Sequence, residues 1–153
     1  MQENGKKKII IGSDHAGFNL KAKIISLLKT LDMEVEDVGT YSTDSVNYGP
    51  IAQVVAEKVA SDEHIKGILI CGTGIGMSIM ANKVKGIRAA LVHDTFSAEA
   101  TRAHNNSNIL CMGERVIGSG LAIEITKKWL ATPFDAGKHA QRIKFIRDYE
   151  CVN

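Results

Sequence analysis

Short apolar runs alternate along the chain with segments in which apolar residues recur every two to four positions. The runs contain few polar residues, which is typical of parallel strands buried on both faces, and the recurring pattern predicts amphipathic helices. We expect strands over residues 8–13, 34–38, 67–71, 88–92 and 108–112. We expect helices over residues 18–31, from near Pro50 to 59, 76–83, 97–103, 121–129 and 138–149. This alternation predicts an α/β fold: a Rossmann-like three-layer sandwich with a five-stranded parallel sheet and a C-terminal helix.

The length of 153 residues fits a single domain over residues 1–153, with a polar extension over 1–6 and a tail over 148–153. Hydrophobic residues make up 44% and charged residues 24%, which excludes disordered and collagen-like classes. The formal net charge of +2 gives no support for binding to nucleic acid or to an anionic membrane. Anion recognition must therefore come from a few placed residues.

The beginning of the chain and its cysteines indicate a cytoplasmic location. The first eight residues are polar and lead directly into a short apolar run, unlike a signal peptide. No apolar run approaches the roughly 20 residues of a membrane helix. Three cysteines, an odd number, are best explained as free thiols in a reducing compartment.

A glycine-rich segment over residues 71–78 (CGTGIGMS) follows the third predicted strand and begins a helix. In an open α/β sheet, ligands bind beyond the carboxyl ends of the strands. Such glycines let backbone N–H groups point at an anionic oxygen, or let a helix pack closely on a strand. The segment lacks the Gly-Lys-Ser/Thr of a Walker A loop, and its spacing differs from the dinucleotide fingerprint. A nucleotide-binding regulatory module remains the alternative from a different class.

The position of Cys71 favours a role of the loop in catalysis over a purely structural one. A cysteine at the end of a strand, directly before a helix, lies where thiolate formation is favoured. Cys111, in the middle of a predicted strand, is expected to be an inert core thiol, and Cys151 to lie in the polar tail.

Several other polar residues can be interpreted in two ways, as structural or as functional. Asp14 could cap a helix with His15 as a bystander, or the pair could bind sugar hydroxyls. His104 could be a solvated residue at a helix C-terminus, and Asn105 a left-handed cap. Lys138 and Arg142, four residues apart, could form a solvated face or hold a phosphate, together with other arginines of the chain. His64 is expected at the surface, and no spacing indicates a metal site.

Seven segments occur in the order seen in the type B ribose-5-phosphate isomerases, and the chain resembles that group over about residues 7–147. The segments are 12–17 (GSDHAG), 70–78 (ICGTGIGMS), 81–83 (ANK), 86–89 (GIRA), 102–105 (RAHN), 113–115 (GER) and 138–142 (KHAQR). The wider ribose/galactose isomerase family also contains the galactose-6-phosphate isomerase subunits. The match is highly specific for the family and less specific for the substrate.

The resemblance implies an aldose–ketose isomerase of the non-oxidative pentose phosphate pathway, converting D-ribose 5-phosphate to D-ribulose 5-phosphate without metal or other cofactor. Cys71 would be the base, with Thr73 assisting, and His104 would open the sugar ring. The resemblance also implies a set of substrate-binding residues: Asp14, His15, Tyr48, Gly72, Gly74, Gly76, Asn105, Arg115, Lys138 and Arg142. It further implies a homodimer with shared active sites, in which Cys71 and His104 come from different chains. Whether dimers pair into tetramers stays open.

Two departures from the family pattern bear on the substrate. Lys138 stands where the family usually has arginine, which replaces a bidentate fork by a point charge. Residues 47–50 (NYGP) differ from the common Asp-Tyr-Pro order. A six-carbon substrate, galactose 6-phosphate or allose 6-phosphate, is therefore the alternative within the same class.

Overall fold

Five parallel strands form the centre of the computed structural model, which describes residues 5–153. The strands are β1 (Lys8–Ser13), β2 (Glu34–Asp37), β3 (Ile65–Cys71), β4 (Ala89–Leu91) and β5 (Ile109–Gly113), arranged in the order β2-β1-β3-β5-β4. The helices are α1 (Phe18–Thr30), α2 (Tyr48–Ala60), α3 (Ile75–Ala81), α4 (Thr95–Asn105), α5 (Ser119–Ala131) and α6 (Lys138–Val152). A 3₁₀ turn (His15–Gly17) precedes α1. The predicted fold class is confirmed.

The three layers follow from the alternation of side chains along each strand. Ile68 and Ile70 of β3 face a core formed with α1, α4 and α5, whereas Leu69 and Cys71 face a second core formed with α2 and α3. Because both faces are covered, the central strands are apolar without interruption, which explains the unbroken runs in the sequence. Within the described residues, no helix has the length and apolar character needed to span a membrane.

The ends of the elements differ from the sequence-based expectation by a few residues. Strand β3 begins at Ile65, earlier than predicted, and β4 has only three residues. Helix α2 begins at Tyr48 because Asn47 caps it: Asn47 Oδ1 accepts a hydrogen bond of 2.8 Å from the backbone N–H of Gly49. The unusual order at residues 47–50 therefore still provides a helix cap.

Helix α6 continues to Val152, three residues beyond the expected end at residue 149, and includes Cys151. Residues 1–4 of the expected polar extension lie outside the described residues. In α6 only Ile143 is buried, whereas Ile146 and Tyr149 are 45% and 64% exposed. Near its end, α6 also contacts the rest of the chain through Glu150, which accepts a hydrogen bond of 3.2 Å from Gly86 N–H.

The fold brings together the segments that follow β1, β3 and β5. These strands are neighbours in the sheet, and their carboxyl ends lie at the same edge. Backbone hydrogen bonds join the three segments: Asp14 N–H donates to Ile70 O at 3.2 Å, and Arg115 N–H donates to Gly72 O at 3.0 Å. This edge carries the candidate site.

Candidate active site

Cys71 occupies the last position of β3 and is 5% exposed. Its Sγ accepts a hydrogen bond of 3.0 Å from the backbone N–H of Gly74. The contact fixes the sulfur beside the first turn of the glycine loop, where a backbone donor faces it directly. The prediction that Cys71 lies beside the amides of the glycine loop is confirmed.

Cys111 shows the opposite environment on the neighbouring strand. It is completely buried, and this burial raises the pKa of its thiol far above the usual range. The prediction that Cys111 is a core thiol is confirmed. Cys151 is exposed on α6, so the three thiols occupy three different environments.

The glycine loop turns sharply because Gly74 adopts a left-handed conformation with φ of +77° directly before α3. Two of its amides are already engaged: that of Gly74 with Cys71, and that of Ile75 with Thr73 Oγ1 at 3.2 Å. The loop is therefore ordered by its own side chains before any ligand binds. It does not present all of its amides to an incoming anion.

Tyr48 packs against the start of α3 at Gly76, where there is no room for a side chain. A Cβ placed on Gly76 would lie 2.5 Å from Cζ of Tyr48. Gly76 thus lets the tyrosine ring lie flat against the loop, and the ring forms one wall of the pocket.

Asp14 and His15 combine the structural and functional interpretations. Asp14 Oδ1 accepts hydrogen bonds from the backbone N–H groups of Ala16 and Gly17, at 2.9 and 3.1 Å, so Asp14 does cap the short turn. His15 is not a bystander, because its Nδ1 accepts a hydrogen bond of 3.2 Å from Val46 N–H. This bond leaves the Nε2 atom to carry the proton. Both residues line the same pocket as Cys71.

An open pocket of about 480 Å³ joins these groups. Arg115 closes one side: a Cβ on Gly72 would lie 3.4 Å from its Cδ. The pocket is lined by Asp14, His15, Ala16, Tyr48, Cys71, Gly72, Thr73, Ile75, Gly76, Ile79 and Arg115. A thiol, a hydroxyl, an imidazole, a carboxylate and a guanidinium therefore face a space large enough for a small polar metabolite.

Four predicted site residues lie elsewhere in this chain. Helix α4 runs from the carboxyl end of β4 to the amino end of β5, so His104 and Asn105 at its end lie at the opposite edge of the sheet from Cys71. The first turn of α6 lies beside them, since the rings of His104 and His139 stack with centroids 4.4 Å apart. Lys138 and Arg142 belong to that turn and the next. One chain does not bring these residues to the pocket.

The family model described as Ribose/Galactose Isomerase matches residues 9–146. The chain belongs to the ribose/galactose isomerase family. It is therefore an isomerase, as its motifs predict. The match includes the glycine loop as well as the ends of α4 and α6 that carry the distant residues.

Several curated relatives align with almost the whole isomerase. A Bacillus subtilis protein described only as a sugar phosphate isomerase is 59% identical over 147 residues, which cover 95% of this chain and 99% of the relative. Ribose-5-phosphate isomerase B of Escherichia coli is 45% identical, with 94% and 97% covered. D-erythrulose-4-phosphate isomerase 2 of Mycolicibacterium smegmatis is 46% identical, with 94% and 97% covered.

Solved structures agree with the fold in detail. Ribose-5-phosphate isomerase B of Clostridium thermocellum superimposes with a TM-score of 0.92 at 49% identity, covering 94% of this chain and 97% of that one. Ribose-5-phosphate isomerase B of Mycoplasma genitalium, solved with bound ribulose-5-phosphate, gives a TM-score of 0.93 at 40% identity, covering 95% and 97%.

A group that the sequence did not indicate lies at the far edge of this isomerase. Donor atoms of His104, Asp135 and His139 lie within 4.8 Å of one another, a set of residue types that can hold a metal ion. Spacing along the chain predicts no structural zinc, and these three residues are the set on which that prediction can be tested. The two imidazole planes are only 15° apart, so both rings would have to turn before their nitrogens could bind one ion. Spacing alone missed the set because its residues come from two elements and the loop between them.

Other polar residues of interest have structural roles. His93 Nε2 accepts a hydrogen bond of 3.1 Å from Gly113 N–H, and burial lowers the pKa of His93. Glu114, next to Arg115, accepts a hydrogen bond of 2.9 Å from Leu20 N–H at the start of α1. His64 is exposed, as predicted. These contacts hold the strand ends in place around the pocket.

Proposed function

We propose that this isomerase interconverts D-ribose 5-phosphate and D-ribulose 5-phosphate through an enediolate, within the non-oxidative pentose phosphate pathway. The observation that carries the proposal is the Cys71 sulfur, which accepts an amide hydrogen at the base of a pocket lined by polar groups. The names of the Escherichia coli, Clostridium thermocellum and Mycoplasma genitalium proteins support this choice of substrate. Free thiols are consistent with action in a reducing cytoplasm.

The chemical step needs a base that removes a proton and returns it to the next carbon. The thiolate of Cys71 takes the proton from C2 of the open-chain aldose, and the electron pair moves onto O1 to form the enediolate. The thiol then returns this proton to C1, while the proton of the O2 hydroxyl passes to O1. A well-placed base contributes about 10²–10⁴-fold to such a reaction.

The glycine loop and Thr73 stabilise the intermediate. Negative charge develops on O1 and O2, and oxyanion donors of this kind each contribute about 3–4 kcal/mol. The Thr73 hydroxyl accepts from Ile75 N–H, so its own hydrogen stays available to donate to an oxygen of the intermediate. Proton transfer between neighbouring carbons involves no net oxidation, so the proposed chemistry requires neither a nucleotide nor a metal.

The ring-opening and phosphate groups come, in this proposal, from a second copy of the chain. Arg115 is the cation that lines the pocket within one chain, and Lys138 and Arg142 lie at the opposite edge of the sheet. In a homodimer whose two sheets run in opposite directions, the amino edge of one sheet would lie beside the carboxyl edge of the other. This arrangement would bring a set of residues of one copy to Cys71 of the other: His104, Asn105, Lys138 and Arg142.

Exposed apolar residues support this arrangement. Phe145, Ile146 and Tyr149 on α6 are 74%, 45% and 64% exposed, and Ile75 and Ile79 on α3, beside the pocket, are 49% and 57% exposed. Contact between the α6 of one copy and the α3 of another would cover both groups. Clusters of this kind on a small protein mark interaction sites.

The substrate is tested by following conversion of a panel of sugar phosphates with purified protein. Ribose 5-phosphate and ribulose 5-phosphate should be interconverted with the highest kcat/KM. The panel includes D-erythrulose 4-phosphate, because a relative at 46% identity carries that name, and allose and galactose 6-phosphates for the six-carbon alternative. Conversion of a four-carbon or six-carbon substrate only would overturn the assignment of substrate and keep that of the isomerase.

Two further arms separate the remaining alternatives. Activity should be unchanged by EDTA, and a loss restored by a divalent ion would assign a catalytic metal to His104, Asp135 and His139. A thermal-shift screen should show stabilisation by ribose 5-phosphate and none by ATP. Saturable ATP binding without any isomerisation would instead identify a nucleotide-binding regulatory module.

A further inference from the structure

A second cavity, of about 280 Å³, lies at the edge of the sheet opposite to Cys71. Lys66 is the second residue of β3, and Arg88 directly precedes β4, so both belong to the amino ends of their strands. Arg102, near the end of α4, and Arg147 of α6 line the same cavity. Four cationic side chains thus surround a space at the small end of the range for ligand sites.

The four cations of this cavity outnumber the carboxylates near them, which are Glu63 and Glu150 among the described residues. None of the four cations forms an ion pair with a carboxylate in residues 5–153. Glu63 is the lining carboxylate; it is exposed and lies 3.8 Å from His64. Glu150 is near Arg88 but accepts its hydrogen bond of 3.2 Å from Gly86 N–H.

Two of the cations have a structural role that accounts for part of the cluster. Arg88 donates to the carbonyl of Asn106 at 3.0 and 3.1 Å, and Arg102 donates to the carbonyl of Ser107 at 2.6 Å. These bonds satisfy carbonyl groups at the end of α4, whose dipole supplies only about half a negative charge. In the part of the chain that the structure describes, Lys66 and Arg147 form no hydrogen bonds of this kind.

Arg102 retains an unused donor. The residue is 6% exposed, and its Nε is buried without a hydrogen-bond acceptor in the part of the chain that the structure describes. A buried N–H of a charged group without a partner is unfavourable, and such groups in native proteins call for an explanation. The guanidinium lies over the Trp129 ring, with Cζ 5.9 Å from the ring centroid, and Nε is closed off from the cavity. An anion in the cavity would therefore compensate the charge of Arg102 without accepting this particular hydrogen bond.

The environment of Lys66 agrees with this electrostatic surplus. Burial, and then the charges of Arg102 and Lys7, lower its pKa from the usual 10.5 to about 8. Burial and the neighbouring arginines also lower the pKa of Arg88. Burial and mutual repulsion thus both act against the charged state of these two lining residues.

We propose that this cavity is a binding site for a small oxyanion of the phosphate class, held by Lys66, Arg88, Arg102 and Arg147. Guanidinium groups bind such anions through paired N–H donors, and a lysine adds a point charge. The site is separate from the pocket of Cys71, and the inference does not depend on the proposed function. The site lies next to two residues expected in the active site, because the lining residues Arg102 and Asn106 flank His104 and Asn105 along the chain.

The reactivity of the Lys66 amine tests the proposal at a single residue. The full-length protein is labelled with trace acetic anhydride at pH 8, and the rate at each lysine is measured by peptide mass spectrometry. A bound anion stabilises the ammonium form, and a rise of one pKa unit at this pH lowers the neutral fraction about fivefold. We expect inorganic phosphate to slow labelling of Lys66 about fivefold or more, while potassium chloride at equal ionic strength and the exposed Lys83 show no such change.

A second arm distinguishes two sources of the anion. Ribose 5-phosphate replaces inorganic phosphate, so protection by the ester identifies a phosphorylated metabolite and protection by phosphate alone identifies the free ion. Either result supports the site. Equal protection by chloride, or none by either phosphate compound, would overturn it.

A matched pair of variants on α6 links any protection to this cavity. Arg147→Gln removes one lining cation and should weaken the protection of Lys66. Lys144→Gln, whose lysine forms an exposed ion pair of 2.6 Å with Asp148 and does not line the cavity, should leave it unchanged. Full protection in Arg147→Gln, or equal losses in both variants, would contradict the proposal.

Discussion

The two edges of the sheet differ in how their charged groups are held. At the carboxyl edge, Asp14, His15, Cys71 and Thr73 all have hydrogen bonds to nearby backbone amides. At the amino edge, Lys66 and Arg147 have no carboxylate partners within residues 5–153, and His104 lies beside another histidine. The groups at the first edge are positioned by contacts within one chain, whereas these cations of the second edge have no partner of opposite charge among residues 5–153.

A chain that carries every motif of a site does not necessarily bring all of the site residues together by itself. The glycine loop is ordered by its own contacts, so its geometry is defined before any ligand or partner binds. The ends of α4 and α6 carry a surplus of positive charge and exposed apolar residues, on which the proposals of a second copy of the chain and of a bound anion rest.

The largest expected effect is that of Cys71→Ala, which removes the base at the carboxyl edge. Loss of a positioned base should lower kcat about 10²–10⁴-fold, while the Kd for ribose 5-phosphate changes little, because phosphate binding does not use the sulfur. Cys151→Ala, at an exposed thiol of α6, is the control and should keep full activity. Turnover by Cys71→Ala within twofold of the parent would remove the cysteine from the mechanism.

Arg142→Ala tests the cations at the amino edge. Loss of a hydrogen bond between charged groups costs about 1.5–3 kcal/mol, so KM should rise about 10–100-fold with a much smaller change in kcat. Lys144→Ala removes the next cation along the same helix, which forms an ion pair with Asp148, and should leave KM unchanged. The same KM in both variants would mean that Arg142 does not contact the phosphate.

Lys66→Met gives the smallest effect and concerns stability. The folded-state pKa of Lys66, about 8, lies below the usual 10.5, so its charge destabilises the folded chain below pH 8, and this cost is relieved as the pH rises from about 8 to 10.5. In phosphate-free buffer at pH 7 the variant should therefore be more stable, by about 1 kcal/mol after allowance for solvent screening at this half-buried site.

The pH dependence provides the check on that last prediction. The free energy of unfolding, from urea titrations of both proteins at pH 7 and pH 10, should show an advantage of Lys66→Met that is clear at pH 7 and much smaller at pH 10. An advantage that stays constant, or a variant that is less stable at pH 7, would mean that the charge of Lys66 is compensated in the folded protein.

Most of the fold could be predicted because burial on both faces leaves a clear pattern. The strand over residues 8–13 and the start of α6 at Lys138 were predicted to the residue. The pocket was accessible for a similar reason, since Asp14, Cys71 and Arg115 follow neighbouring strands. Gly76 could not be understood from the sequence, because its role is to leave room for the ring of Tyr48.

What the sequence could not provide is the relation between residues on different elements. The helix α6 is amphipathic only in part, so the exposure of Ile146 and Tyr149 appears only when its packing is known. The stacking of His104 on His139 and the convergence of four cations on one cavity depend on tertiary contacts between segments that are distant along the chain. Periodicity and spacing carry no such information.

Activity of mixed dimers tests the central claim most directly. Cys71→Ala and His104→Ala are purified separately, mixed in equal amounts, unfolded and refolded together. If each site takes Cys71 from one copy and His104 from the other, half of the dimers are mixed and each of these has one intact site, so the mixture should recover about a quarter of the activity of the parent. A mixture as inactive as either variant alone would contradict a site shared between two copies.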